Sequence, residues 1–142
     1  MILAALITAA QLEATITAAR VVDLCDDDGD GVADPATVSE VIEQASDTVQ
    51  EYAVEVGDAL TVGTMTAAMR RRVAIIAAHY AGSRRPEFRD AQGAAPYLAE
   101  YKVAIAELEA WAKRTRDISS GAPEDEDAVL CVTNASRRWQ RR

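Results

Sequence analysis

The residues with the most distinctive chemistry lie in one short acidic segment, residues 26–34, which we call the acidic loop. Asp26, Asp28 and Asp30 alternate with other residues, and a glycine follows directly, which gives the pattern Asp-x-Asp-x-Asp-Gly. This pattern begins a calcium-binding loop, in which carboxylates at alternate positions converge on one ion. In the same register the carbonyl of Val32 and the carboxylate of Asp34 are the next ligands. The acidic loop therefore predicts a calcium site with these five residues as ligands.

The predicted site lacks the strongest ligand of a complete EF-hand. Thr37 occupies the position of the bidentate glutamate, and the nearest glutamate, Glu40, lies one helical turn farther on. Carboxylates about 5 Å apart still repel by roughly 3 kcal/mol at an effective dielectric constant near 20, so a cation would stabilise the loop. We expect weak structural binding, with a dissociation constant on the order of 10⁻⁵ to 10⁻³ M. The alternative is a solvated turn that only caps the next helix through Asp34.

Two short helical segments are predicted before the acidic loop. Thr8 and Gln11 form a capping-box pattern, so a helix begins near Ala9. Thr17 can cap a second short segment that runs to about Leu24. The aspartates and glycines of the acidic loop then end the helical sequence.

Longer helices are predicted after the acidic loop, where apolar residues recur at three- and four-residue spacing. Their predicted ranges are 35–56, 64 or 66 to 81, and 96–116. Asp34 is expected to be the carboxylate N-cap of the first, with Pro35 at the first helical position. Gly57 and Gly82 are expected to end the first and second of these helices. Residues 83–95 are predicted to be a connection with at most one irregular turn.

Length and composition favour one all-α domain. The chain has 142 residues, of which 49% are hydrophobic and only 5% aromatic, and alanine is abundant. We expect a small bundle of about four helices in residues 1–120. A linker signal, Ser119-Ser120-Gly121-Ala122-Pro123, separates it from residues 121–142, which we call the arm and expect to be extended.

The net charge of -8 belongs to the helical body, because the arm contains four acidic residues and four arginines. Between Arg20 and Leu60 there are twelve acidic residues and one basic residue. Such a body repels phosphate, which argues against a protein that coats nucleic acid by neutralising it.

The sequence gives no indication of an enzyme. His79 is the only histidine, and we expect it to be a helix residue beside the core. Tyr101 and Trp111 are expected to be core aromatics. No nucleophile with a partner base, phosphate-binding glycine loop or zinc-ligand spacing occurs. Cys25 and Cys131 do not form a disulfide framework, and the apolar N-terminal residues match neither a signal peptide nor a membrane span.

Several of these features together resemble a known protein family. The residues that carry the resemblance are Asp26-x-Asp28-Gly29-Asp30-Gly31-Val32-Ala33-Asp34, Ala45-Ser46 and Tyr52, Tyr80 at the end of an arginine-rich helix, and Tyr101-Lys102-x-Ala104 with Leu108 and Ala112-Lys113. The pattern spans about Thr8 to Ser119 and resembles the Mu-like phage head-to-tail connector (adaptor) family.

The resemblance implies a non-catalytic virion protein at the head-to-tail interface, present in the host cytoplasm during assembly. Its subunits would form a ring, commonly dodecameric, between the portal protein and a tail-side connector or tail terminator protein. DNA would pass through the lumen without sequence-specific binding. The arm would dock on the portal, with Trp139 as its apolar contact. The arm residues expected in this contact are Val129, Leu130, Arg137, Arg138, Trp139, Arg141 and Arg142.

A ring also needs contacts between its subunits. Arg70, Arg71 and Arg72 are consecutive, and steps of about 100° per residue prevent them from sharing one helix face. We expect some of them to pair with the acidic helix of a neighbouring subunit, through Glu43, Asp47 and Glu51. The alternative is a solvated basic patch.

Two other functions remain open at the level of sequence. The first is a small helical module in which bound calcium controls partner binding. The second is an acidic DNA mimic or antitoxin-like inhibitor that uses its negative surface directly.

Overall fold

The computed structural model describes residues 4–57 and 60–119, which form five α-helices and one short 3₁₀ turn. The helices are α1 (Ala9–Ile16), α2 (Ala18–Cys25), α3 (Pro35–Glu55), α4 (Ala67–Ser83) and α5 (Leu98–Ser119). No strand occurs in these residues, so the predicted all-α bundle is confirmed. It has five helices rather than four, because the two segments before the acidic loop are separate helices.

The helix starts predicted from local capping signals are confirmed. The N–H of Gln11 donates to Thr8 Oγ1 at 3.3 Å, and the N–H of Thr8 donates to Gln11 Oε1 at 3.0 Å, which completes the capping box. Thr17 caps α2 by accepting the N–H of Arg20. Its φ of 77° is incompatible with a continuous helix, so α1 ends where α2 begins.

The central element of the bundle is α4, which packs against all four other helices. Its buried residues are small or of medium size and lie on several of its sides: Met69, Val73, Ala74, Ile76, Ala77, Ala78, Ala81 and Gly82. After its three arginines, α4 is apolar on most of its sides, as is typical of a helix buried in a core rather than laid on its surface. From α3 and α5 the core also receives Val41, Val49 and Leu108, which are fully buried.

The prediction that Gly82 ends its helix is wrong, because α4 continues to Ser83. A Cβ atom at Gly82 would lie 2.9 Å from Cβ and Cγ of Pro96, so the glycine allows the segment before α5 to pass close to α4. The start of α5 at Leu98, rather than near Pro96, has a local cause. Tyr97 has a φ of 59°, outside the helical region, so the helix begins after it.

Tyr101, Trp111 and the single histidine, His79, lie beside the core as the sequence predicted. His79 Nδ1 lies 3.0 Å from the carbonyl oxygen of Pro96, and its ring stacks on Tyr101 with centroids 4.3 Å apart. Tyr101 and Trp111 are partly buried against the core. These contacts attach the start of α5 to the end of α4.

The remaining connections also follow the prediction. Gly57 follows the end of α3 with a φ of 74°, the left-handed conformation typical of glycine after a helix. The connection between α4 and α5 contains a single 3₁₀ turn, Pro86–Phe88. Within the part of the chain that the structure describes, no helix is long and apolar enough to cross a membrane.

Candidate functional site

The acidic loop folds around the carboxylate of Asp26. This carboxylate accepts the backbone N–H groups of Gly29 at 2.7 Å, Gly31 at 2.9 Å and Asp30 at 3.2 Å. The bond from Gly31 is the main reason that the pKa of Asp26 is lowered. Both glycines have positive φ, at 78° and 83°, so the turn that directs these N–H groups inward depends on them.

The other predicted carboxylate ligands also accept backbone N–H groups of the loop. Asp28 Oδ1 accepts the N–H of Asp30 at 3.1 Å, and Asp30 Oδ1 accepts the N–H of Val32 at 2.8 Å. Asp34 occupies the N-cap position of α3 but makes no side-chain bond to that helix. The prediction of a carboxylate cap is therefore wrong: Asp34 Oδ2 turns back and accepts the N–H of Asp27 at 2.7 Å, which closes the loop.

Three of the predicted ligands converge on one point. One carboxylate oxygen from each of Asp26, Asp28 and Asp34 lies within 4.8 Å of the other two, while Asp30 is outside this group. The hydrogen bond from the N–H of Asp30 lowers the pKa of Asp28. Partial desolvation and the neighbouring carboxylates have the larger combined effect, so the pKa of Asp28 is raised overall. A cluster of carboxylate oxygens is the ligand set that hard cations such as calcium prefer.

Asp27 attaches the acidic loop to the C-terminal end of α4. Its Oδ2 accepts hydrogen bonds from Arg84 at 2.6 Å and from Thr37 Oγ1 at 2.8 Å, and its Oδ1 contacts Arg85. Arg85 also donates to the carbonyl of Asp26 at 3.2 Å. Arg84 above all holds the pKa of Asp27 far below its usual range, so this carboxylate stays ionised.

The acidic residues predicted to lie between subunits form a stripe on α3. Glu43, Asp47 and Glu51 are spaced by four residues and are all exposed, so they project from one face of the helix. Glu43 accepts a hydrogen bond from Ser39 at 3.3 Å. We call these three residues the acidic stripe.

The three consecutive arginines of α4 have three different environments. Arg70 is half-buried and donates to the carbonyl of Met65 at 3.2 Å. Arg72 forms an ion pair with Glu107 of α5 at 2.6 Å. Arg71 is exposed. Within residues 4–57 and 60–119, no ion pair joins these arginines to the acidic stripe.

A comparison with known families assigns the chain. The family model described as Bacteriophage Mu, Gp36 matches residues 7–130, which is most of the chain. The chain belongs to the phage Mu Gp36 family. It is therefore a Mu-like phage protein with a structural or morphogenetic role. No curated protein and no solved structure matches the chain.

The Gp36-family match covers the acidic loop and all five helices and extends into the arm. It begins at Ile7, directly before the capping box of α1, and includes the acidic loop and all five helices. It ends at residue 130, and so includes Val129 and Leu130. The portal-docking residues predicted in the arm, from Val129 to Arg142, lie outside the described residues.

In this Gp36-family protein Asp27 and its partners were not predicted from the sequence. Asp27 stands at an even position between the predicted calcium ligands, and it lies 57 residues from Arg84 and 58 from Arg85. The only indication in the sequence was that two consecutive arginines, Arg84 and Arg85, directly follow an apolar helix and so require acidic partners or solvent. Their partner could be identified only once α4 was placed beside the acidic loop.

Proposed function

We propose that this Gp36-family protein is a head-to-tail connector. Its subunits form a ring, dodecameric in our proposal, between the portal vertex and the tail, and DNA passes through the lumen. The match over residues 7–130 is the observation that carries the proposal, because it assigns the chain to a Mu-like phage family. The all-α body supports it as a rigid building block. The role is structural and requires no catalysis.

Opposite charges on different helices support a ring contact. A head-to-tail ring joins two different surfaces of each subunit, and these surfaces must be complementary. The acidic stripe of α3 supplies one such surface, and Arg71, with its neighbours Arg70 and Arg72, supplies the other. Since Arg72 already pairs with Glu107, Arg71 is the residue best placed to reach a neighbouring subunit.

The charge of the body supports passage of DNA rather than a tight grip on it. The net charge is -8, and the arm contributes equal numbers of acidic residues and arginines. Phosphates bind where cations neutralise them, and an acidic surface lacks this attraction. A lumen lined by such subunits would let the duplex slide.

Deletion of the arm is expected to remove portal binding. Full-length protein should co-purify with the portal protein of the same phage, whereas a chain that ends at Ser120 should bind at least about tenfold more weakly. A buried aromatic anchor such as Trp139 contributes about 2 kcal/mol or more, and 1.4 kcal/mol corresponds to tenfold in affinity. Pull-down with a concentration series measures the difference, and negative-stain microscopy of the complex should show a ring.

Two controls accompany the truncation. Its far-ultraviolet circular dichroism should show the helix content of the full-length body, since all five helices end at or before Ser119. Trp139→Ala should weaken binding in the same direction without shortening the chain. Equal portal binding by the full-length and truncated chains would contradict docking through the arm, and no portal binding by either would contradict the connector role.

The convergence of Asp26, Asp28 and Asp34 favours a second function, the binding of a structural calcium ion. Calcium at millimolar concentration is expected to raise the melting temperature and to bind with a dissociation constant on the order of 10⁻⁵ to 10⁻³ M. Asp28→Asn should weaken both effects, because it removes one negative charge from the cluster and no contact to α4. Calorimetry and thermal melts measure them.

The matched control for the calcium experiment is Asp23→Asn. Asp23 lies just before the acidic loop, is exposed and pairs with Arg20, so the substitution changes the charge by the same amount outside the cluster. Binding should persist in this variant. Absence of heat and of thermal stabilisation in the unmodified protein at millimolar calcium would rule out the site.

A further inference from the structure

A groove between α4 and α5 has the features of a binding surface. Its volume is about 490 Å³, and its apolar lining includes Ala68, Ile75, Ala99 and Val103. Val103 is 59% exposed, which is high for a large aliphatic side chain. Arg71, Glu100 and the Arg72–Glu107 ion pair also line the groove. We call it the α4–α5 groove.

The face of α5 that forms one wall of the groove extends beyond it toward the end of the helix. Val103, Glu107, Ala110 and Arg114 are spaced by four, three and four residues, so they share one face of α5. Arg114 is exposed and donates to the carbonyl of Ala110 at 3.3 Å. The face that forms one wall of the groove therefore carries a cation beyond the apolar floor, on the side nearer Ser119.

The chain that follows α5 has a matching sequence. Ser120 to Pro123 is a turn-forming linker, residues 124–127 are four consecutive acids, and residues 128–132 are apolar. The wall has the complementary order: Arg114 comes first, then Ala110 and Glu107, whose charge is paired with Arg72, and then Val103. We propose that residues 124–132 turn back after α5 and bind in the α4–α5 groove of their own chain.

The lengths of the two segments agree with this arrangement. Val103 lies sixteen residues before Ser119, or about 24 Å along the helix at 1.5 Å per residue. After a reversal at residues 120–123, an extended chain at about 3.3 Å per residue covers about 20 Å between residues 124 and 130. Val129 and Leu130 then approach Val103, and the acidic run lies beside Arg114.

The short connection favours the groove of the same chain over that of a second copy. Only four residues separate Ser119 from Glu124, and a short linker gives an effective concentration in the millimolar range. The groove of a second copy could compete for the segment only if the protein concentration in solution exceeded this effective concentration. Val129 and Leu130, which the sequence predicts at the portal contact, bind the groove in this arrangement, and Arg137 to Arg142 with Trp139 are left for the portal. The intramolecular contact can form without a portal, so the inference does not depend on the connector role.

Cys131 allows a direct test, because it lies inside the proposed segment, while the thiol of Cys25 is buried. In the full-length Val103→Cys variant, mild oxidation is expected to join Cys131 to the new cysteine within one chain. Lys102→Cys is the matched control. Residue 102 is next to residue 103, so the length of chain that links the new cysteine to Cys131 is nearly the same, but its side chain points about 100° away around the helix. We expect about tenfold more intramolecular disulfide in the first variant, in proportion to the effective concentration.

Non-reducing gels and peptide mass spectrometry distinguish the outcomes. A disulfide-linked monomer that forms preferentially in the Val103→Cys variant supports the proposal, and Ala99→Cys, one turn nearer the start of α5, should give the same preference. Disulfide-linked dimers would assign the groove to a second copy and overturn it. Equal rates in the Val103→Cys and Lys102→Cys variants would show that the segment does not occupy the groove, and would also overturn it.

Discussion

Replacement of Ser46 by alanine is expected to lower the free energy of unfolding by about 1–3 kcal/mol. Ser46 is fully buried in α3, where its Oγ accepts the N–H of Leu6 at 2.9 Å and donates to the carbonyl of Ile42 at 2.7 Å. Leu6 lies 40 residues before Ser46 in sequence, and alanine at position 46 would leave its N–H buried without a partner. Urea denaturation measures the change, provided that the slope of the free energy of unfolding against urea concentration is the same in both proteins.

Ser39→Ala is the matched control for this substitution. Ser39 lies on the same helix and also forms a side-chain hydrogen bond, to Glu43 at 3.3 Å, but it is exposed. Water replaces the lost partner there, so the change should stay within about 0.5 kcal/mol. Hydrogen exchange at Leu6 should accelerate only in the Ser46→Ala variant. Equal destabilisation by the two substitutions would contradict the role assigned to the buried hydroxyl.

Ser46 also shows what a resemblance at the level of sequence leaves out. The Ala45-Ser46 pair contributed to the resemblance, but the pattern gave no physical reason for a serine in an otherwise apolar stripe. The structure supplies the reason, because the segment before α1 crosses α3 at this position. The contact joins distant parts of the chain, so local periodicity could not predict it.

The helix starts were predictable because capping is a local interaction. Thr8 and Gln11 satisfy each other's backbone N–H groups within one turn, and the hydroxyl of Thr17 accepts the N–H of Arg20 three residues on. Asp34 also precedes a helix and was predicted to cap it, but its side chain makes no hydrogen bond to α3. Its carboxylate has a competing partner in the acidic loop, the N–H of Asp27, and that bond closes the loop instead.

The candidate site was predictable to the extent that it depends on consecutive residues. The alternation of Asp26 and Asp28, with Asp34 farther on, brings three carboxylates together. The loop's position on the bundle depends instead on Asp27, through two arginines that α4 brings from the far side of the sequence. A cation in the acidic loop would therefore stabilise a segment that is already bound to the central helix.

Replacement of Gly82 by alanine is expected to lower the free energy of unfolding by about 1–3 kcal/mol, the usual cost of overpacking. Helix propensity alone predicts the opposite, since alanine is favoured over glycine by about 1 kcal/mol inside a helix. The added Cβ would lie 2.9 Å from two carbon atoms of the Pro96 ring. That ring is rigid, and the next residue, Tyr97, already has a positive φ, so the segment cannot yield easily. Chemical denaturation measures the sum of the two effects.

A double-mutant cycle separates the close contact from helix propensity. Pro96→Gly removes the ring atoms that the new Cβ would meet, and Gly82→Ala in that background should be neutral or stabilising. If Gly82 served only to end α4, its replacement would have the same effect with or without the Pro96 ring. Strong coupling between the two positions would instead show that the glycine is needed where the segment before α5 crosses α4. The wall of the α4–α5 groove formed by α5 starts just after that crossing, so Gly82→Ala should also reduce the Cys131 disulfide of the Val103→Cys variant.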